Sequence, residues 1–194
     1  MKRLFSFRKT KSIDTNELKQ ALYHSDLATI KKVVQNGFDV NSQIESFQSD
    51  PILMKAILCS SEMKGTNRQL EVIEYLLDHG ADVNVHNADG YNSLHLTLAH
   101  HDLSGVSLLL ILKGQPDVNL AESKHGNTPL FIAIREYGLT WREDQKEVNR
   151  LRYQIIEELL KRGAQIDKAN NHGVTPRFWT ERLTEDDPVH SLIK

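Results

Sequence analysis

The sequence predicts an all-α solenoid, in which helix–turn–helix units stack along one axis. Two recurring phrases predict it. The first is Gly37-Phe-Asp-Val-Asn41, which returns as Gly80-Ala-Asp-Val-Asn84, Gly114-Gln-Pro-Asp-Val-Asn119 and Gly163-Ala-Gln-Ile-Asp167. Each copy follows an apolar run at helical spacing: Leu27/Ile30/Val33/Val34, Val72/Ile73/Leu76/Leu77, Val106/Leu109/Leu110 and Ile155/Ile156/Leu159/Leu160. A glycine directly after such a run marks a helix end, because it takes the left-handed conformation without a Cβ clash.

The second phrase follows each copy of the first. Its clearest form is His125-Gly-Asn-Thr-Pro-Leu-Phe-Ile-Ala133. Weaker forms are Asp89-Gly-Tyr-Asn-Ser-Leu-His-Leu-Thr97 and His172-Gly-Val-Thr-Pro-Arg-Phe-Trp-Thr180, and the faintest is Asp50-Pro-Ile-Leu-Met-Lys-Ala56. Asp-Gly or His-Gly supplies a turn. Thr then caps the next helix, and Pro at its first position needs no amide hydrogen.

These phrases closely resemble the ankyrin repeat, whose signature is a turn, T-P-L-H-x-A, two antiparallel helices and G-A-D-V-N. The resemblance covers roughly Asn16 to Leu183. It implies about four to five units, each with an inner helix, an outer helix and a β-hairpin finger. A unit of this size cannot bury its own apolar face, so stacking makes the core.

The expected units run 14–41, 42–84, 85–119, 120–167 and 168–194, behind a basic leader at 1–13. The first has the helix pair but no leading turn. The last carries Arg177 where the packing leucine belongs and trails into Glu181 to Pro188. Both departures suit caps, which need a polar outer face. A unit is about 33 residues long, yet the phrase spacings are 43, 35 and 48 residues. The second and fourth units therefore carry insertions between their helices, near Cys59–Gln69 and Tyr137–Tyr153. Thr66-Asn-Arg-Gln69 and Thr140-Trp-Arg-Glu143 read as capping boxes that restart the outer helices. The second predicts one long outer helix from Trp141 to Arg162, overshooting its neighbours at the end opposite the fingers.

Bulk composition fits a single soluble domain. It is 39% hydrophobic and 26% charged, with a formal net charge of −2 that points to neither nucleic acid nor membrane. No apolar run is long enough to span a bilayer. The basic N-terminus lacks the apolar stretch of a secretory signal. One cysteine, Cys59, suits a reducing, cytoplasmic setting.

The nine histidines raise the question of a metal. His95 stands at the histidine of T-P-L-H, where the resemblance implies turn and inter-repeat hydrogen bonds. His125 and His172 are equivalent positions on adjacent units, expected on the order of 10 Å apart. Adjacent His100 and His101 diverge on a helix. None has zinc-ligand spacing. No nucleophile elbow, P-loop or H-E-x-x-H motif is present. The sequence therefore predicts no enzyme, no cofactor, no metal and no small-molecule substrate.

The family binds proteins through a concave face of finger tips and inner-helix positions. Carried over by motif, that face comprises Phe47, Gln48, Asp50, Leu58 and Cys59 in the second unit. In the third it comprises His86, Ala88, Asp89, Tyr91, Ala99 and His100. The fourth offers Lys124, His125, Asn127, Arg135 and Glu136, and the last Asn171, His172, Val174 and Arg182. Ile44 and Phe47 also give the first finger an apolar character. The second insertion, with Trp141, Arg142 and Lys146, offers a possible second surface. The expected role is a monomeric adaptor or inhibitor. The alternative is an immunity protein that blocks a cognate toxin by direct binding.

Overall fold

The computed structural model describes residues 15–42, 50–58, 65–140 and 142–193. Within them ten α-helices form five consecutive pairs: α1 (Thr15–Tyr23) with α2 (Leu27–Gln35), α3 (Ile52–Leu58) with α4 (Asn67–Asp78), α5 (Ser93–Leu98) with α6 (Ser104–Lys113), α7 (Pro129–Tyr137) with α8 (Lys146–Lys161), and α9 (Pro176–Thr180) with α10 (Val189–Leu192). Inner helices α1, α3, α5, α7 and α9 pack each on the next, as do outer helices α2, α4, α6, α8 and α10. This is the predicted helical solenoid. The basic leader, the first finger with Ile44, Phe47 and Gln48, Cys59 and Trp141 lie outside the described residues.

Helix starts follow the capping chemistry. The hydroxyls of Thr128 and Thr175 accept the amides of Phe131 and Phe178, both at 3.3 Å. Asn92 does the same for His95 at 2.9 Å. Pro129 and Pro176 open their helices. Helix stops follow too, with one exception. Gly37, Gly80 and Gly163 take the expected positive φ, but Gly114 does not. That copy of the phrase is one residue longer, and Gln115 takes the left-handed conformation instead, at φ 49°. Gly114 serves close packing: a Cβ there would sit 2.7 Å from the Leu110 carbonyl oxygen.

Each buried helix face contributes to one continuous core, from Leu18 and Leu22 through Ile73, Leu94 and Leu110 to Ile156 and Val189. Polar bridges hold the loops in register. Asn41 donates to the carbonyl of Gly80 at 2.8 Å and accepts the amide of Asp82 at 2.9 Å. Asn84 accepts the amide of Asp117 at 2.8 Å. Asn119 donates to Gly163 at 3.0 Å and accepts from Gln165 at 2.9 Å. The asparagine of each Asp-Val-Asn triplet thus ties its unit to the next. Asp167 stands at that position in the fourth unit. Its carboxylate takes two guanidinium nitrogens of Arg177 in the closing unit, at 2.6 and 2.9 Å. This explains the arginine at a leucine position: it seals the last loop.

The two insertions restart their helices differently. Thr66 caps α4 as expected, accepting the Gln69 amide at 3.3 Å. The Gln69 side chain is fully buried and does more than complete a box. Its amide nitrogen donates to the carbonyls of Ala56 and Ile57, at 3.0 and 2.8 Å, and its oxygen accepts the amide of Gly65 at 2.6 Å. An outer-helix residue thereby closes the end of inner helix α3.

In the fourth unit, Thr140 does not cap. Its hydroxyl donates to the Tyr137 carbonyl at 2.7 Å, finishing α7. A 3-10 turn at Glu143–Gln145 intervenes, so α8 begins at Lys146 rather than 141. With 16 residues it still exceeds the 10 of α6 and the 12 of α4. The fingers differ from the expected β-hairpins. Among the described residues they are tight turns closed by a few backbone bonds, such as Asn87 to Tyr91 at 2.9 Å, without extended strands.

Replacing Gln69 by leucine leaves the Ala56 and Ile57 carbonyls unpaired in a buried site. The expected cost is about 2 kcal/mol, read as a lower urea midpoint in circular dichroism with helicity retained before the transition.

Candidate binding surface

Among the described residues, three fingers are each built around one side chain that accepts its own loop amides. Asn87 accepts from Asp89 and Tyr91, at 3.1 and 3.0 Å. Asn170 accepts from His172 and Val174, at 2.9 and 3.0 Å. Between them, Glu122 does the same with a carboxylate, taking the amides of Lys124, His125 and Asn127 at 2.7, 2.9 and 3.1 Å. Burial alone would raise the Glu122 pKa. The three amides outweigh that and hold it below the ordinary glutamate value.

The fingers touch closely. The Ser123 amide donates to Gly90 and the Asn171 amide to His125, at 3.0 and 2.8 Å. Gly90 and Gly126 have φ of 80° and 73°, and a Cβ on either would collide with the next finger.

This construction leaves Asp89, Lys124, Asn171 and His172 exposed, with His86, Tyr91, His125 and Val174 half-buried among them. The rings of His125 and His172 approach to 5.8 Å between centroids, much closer than helix spacing implies, because the side chains lean together from touching fingers. Asn127 belongs elsewhere than expected. It is only 8% exposed, and its side-chain oxygen accepts from Asn170 at 2.8 Å. It joins two fingers instead of facing outward.

On the inner helices, Ala99 and His100 are exposed, Leu58 is half-buried, and Arg182 is exposed just beyond α9. Asp50 is engaged by Lys55 at 2.7 Å, with both side chains largely covered. Arg135 and Glu136 pair at 2.8 Å. Glu136 also lies 3.7 Å from Arg152 of α8, which is 4% exposed. Burial pulls the Arg152 pKa down, and Glu136 opposes that pull. Sequence reasoning passed over Arg152. The signal was there: it falls three and four residues before Ile155 and Ile156, on the buried face of α8. Of the second surface, Arg142 and Lys146 are exposed.

His95 has an internal role. It is 1% exposed. Nε2 donates to the Leu120 carbonyl of the next unit at 2.9 Å, and Nδ1 accepts the Asn92 amide at 3.3 Å. Those partners fix the Nε2–H tautomer. Burial pushes its pKa down to about 4. Among the described residues, no three histidine, cysteine or carboxylate side chains converge to hold a metal ion. No helix there is long and apolar enough to cross a membrane.

Comparison with known proteins matches this architecture. The family model for ankyrin repeats fits residues 59–170 in three copies, more than half of the sequence. The protein belongs to the ankyrin-repeat family, whose repeats generally mediate protein–protein interaction. Among its relatives, human "Ankyrin repeat and SOCS box protein 6" is 31% identical over 150 residues, covering 74% of this chain and 34% of that protein. The "Palmitoyltransferase AKR1" of Lachancea kluyveri is 23% identical over 161 residues, covering 82% of this chain and 19% of that protein. The chain thus spans about a third or less of the curated relatives it matches.

The depressed His95 pKa sets a pH dependence. The unfolded histidine takes up its proton near its ordinary value of 6.5, whereas the folded one resists to about 4. Stability attributable to this group is therefore complete above 6.5 and falls as pH drops from there to 4. His95→Phe, which installs the side chain the fourth and fifth units use at that register, is expected to flatten this part of the profile in urea titrations at stepped pH.

Proposed function

We propose that this chain is a protein-binding adaptor or inhibitor that engages its partner through the concave face of finger tips and inner helices. One observation carries the reading. The backbone amides of the fingers are occupied internally by Asn87, Glu122 and Asn170, while Asp89, Tyr91, Lys124, His125 and His172 stay accessible on the same row of turns. A surface held in place before binding loses little conformational freedom on association. Tyr91, set among charged and imidazole groups, has the character of a binding hot spot. Asp50, Leu58, His100, Arg135 and Glu136 extend the same face along the inner helices, and Phe47 and Gln48 are assigned to it by motif alone.

The test is affinity capture from a lysate followed by mass spectrometry, with the parent and a Tyr91→Ala, Lys124→Glu double variant. The captured partner is expected to fall at least tenfold with the variant. Both substitutions lie off the core, so the thermal midpoint should move by only a few degrees. Undiminished capture by the variant places the binding face elsewhere.

A further inference from the structure

The insertion of the fourth unit and the closing unit meet around a cleft of about 400 Å³. It lies between the end of α7, the approach to α8 and the segment 182–187. Its walls carry three cations, Arg142, Lys146 and Arg182. They also carry two carboxylates, both engaged. Asp187 accepts the Tyr137 hydroxyl at 3.3 Å and the Val189 amide at 2.9 Å, and Glu143 pairs with Lys146 at 2.6 Å. Burial, followed by the Asp187 charge, pushes the Tyr137 pKa up to about 12, so this phenol remains a donor at neutral pH.

Arg182 is distinct from the other two cations. Its guanidinium lies 3.4 Å from the centroid of the Phe178 ring and donates to the Phe178 carbonyl at 2.9 Å. Among the described residues it forms no ion pair with a carboxylate. A guanidinium has five N–H donors in a rigid plane. Seated over a ring and tied by one donor, it keeps the others available. Arg135 provides the contrast. It occupies the same register, seven residues after the capping Thr128 as Arg182 is seven after Thr175, but Glu136 already takes its charge. Across the cleft, the Arg142–Asp144 and Lys146–Glu143 pairs are well exposed, and such pairs exchange partners at little cost.

We propose that this cleft receives the carboxylates of an acidic peptide segment of the partner, with Arg182 as the bidentate anchor and Arg142 and Lys146 as the second contact. This rests on the reading of the chain as a protein-binding module and assigns the chemistry of what it binds. A cleft of this volume accommodates several side chains rather than one small ion, and its cations flank it on both sides.

The test is fluorescence anisotropy with the full chain at low ionic strength, using fluorescein-labelled hexaglutamate, with hexalysine and inorganic phosphate as the other arms. Saturable, salt-sensitive hexaglutamate binding is expected, with none for hexalysine. Arg182→Gln should weaken it at least tenfold, and Arg182→Lys by less, since charge remains while the guanidinium plane is lost. Arg142→Gln with Lys146→Gln should weaken it several-fold and decides the matter if Arg182→Gln does not fold. Parent-like binding by the folded variants overturns the proposal. So does displacement of the peptide by an equal concentration of phosphate, which would make the cleft a small-anion site. Tyr91→Ala with Lys124→Glu should weaken hexaglutamate binding far less than Arg182→Gln does. Partner capture lost in that variant but kept in Arg182→Gln would remove the cleft and leave the concave face standing.

Discussion

Asn41, Asn84 and Asn119 each reach out of the loop that closes one unit and bond the backbone of the loop that closes the next. The geometry of the stack depends on that reach. Apolar burial drives units together but is indifferent to small slides along the helix axes. A side chain that must meet a fixed amide, and for Asn41 and Asn119 a fixed glycine carbonyl as well, is not. Each bridge sets the offset between neighbours, and the offset decides whether the next finger comes close enough for its own backbone contact. His95 repeats the device, joining its helix to the Leu120 carbonyl of the following unit.

The fingers inherit this order. Because Gly90 and Gly126 let successive turns touch, the exposed side chains fall in one row instead of scattering. Glu122 shows how far a local rule can bend. A carboxylate replaces the asparagine of the other fingers and remains charged because three amides converge on it. At the far end of the inner helices the pattern loosens. There the enlarged fourth unit and the short closing unit build walls that the middle units lack.

Most of the architecture was legible in the sequence because the repeat states its own turns, caps and stops several times over. Thr128, Thr175 and Thr66 cap as their spacing indicates. What escaped was set by tertiary partners. Thr140 has the sequence context of a cap, but the Tyr137 carbonyl lies within reach of its hydroxyl and takes it. Gly114 looks like a left-handed stop, yet one extra residue hands that conformation to Gln115. Asn127 reads as a surface residue until the next finger covers it. The pairing of Glu136 with Arg152, and the seat of Arg182 on Phe178, join side chains whose orientation no spacing rule supplies.

The exchange of Asn for Asp at position 167 gives the array a direction. An asparagine side chain both donates and accepts, whereas a carboxylate only accepts. A unit with the glycine phrase placed directly behind Asp167 would bring a glycine carbonyl against a group that can only accept. Two oxygens would face each other where the interior bridges pair oxygen with an amide. Duplication of a unit that ends in asparagine keeps a donor at the new junction, and duplication of the fourth unit, which ends in Asp167, propagates a mismatch. Lengthening of this array by tandem copying is therefore favoured from within.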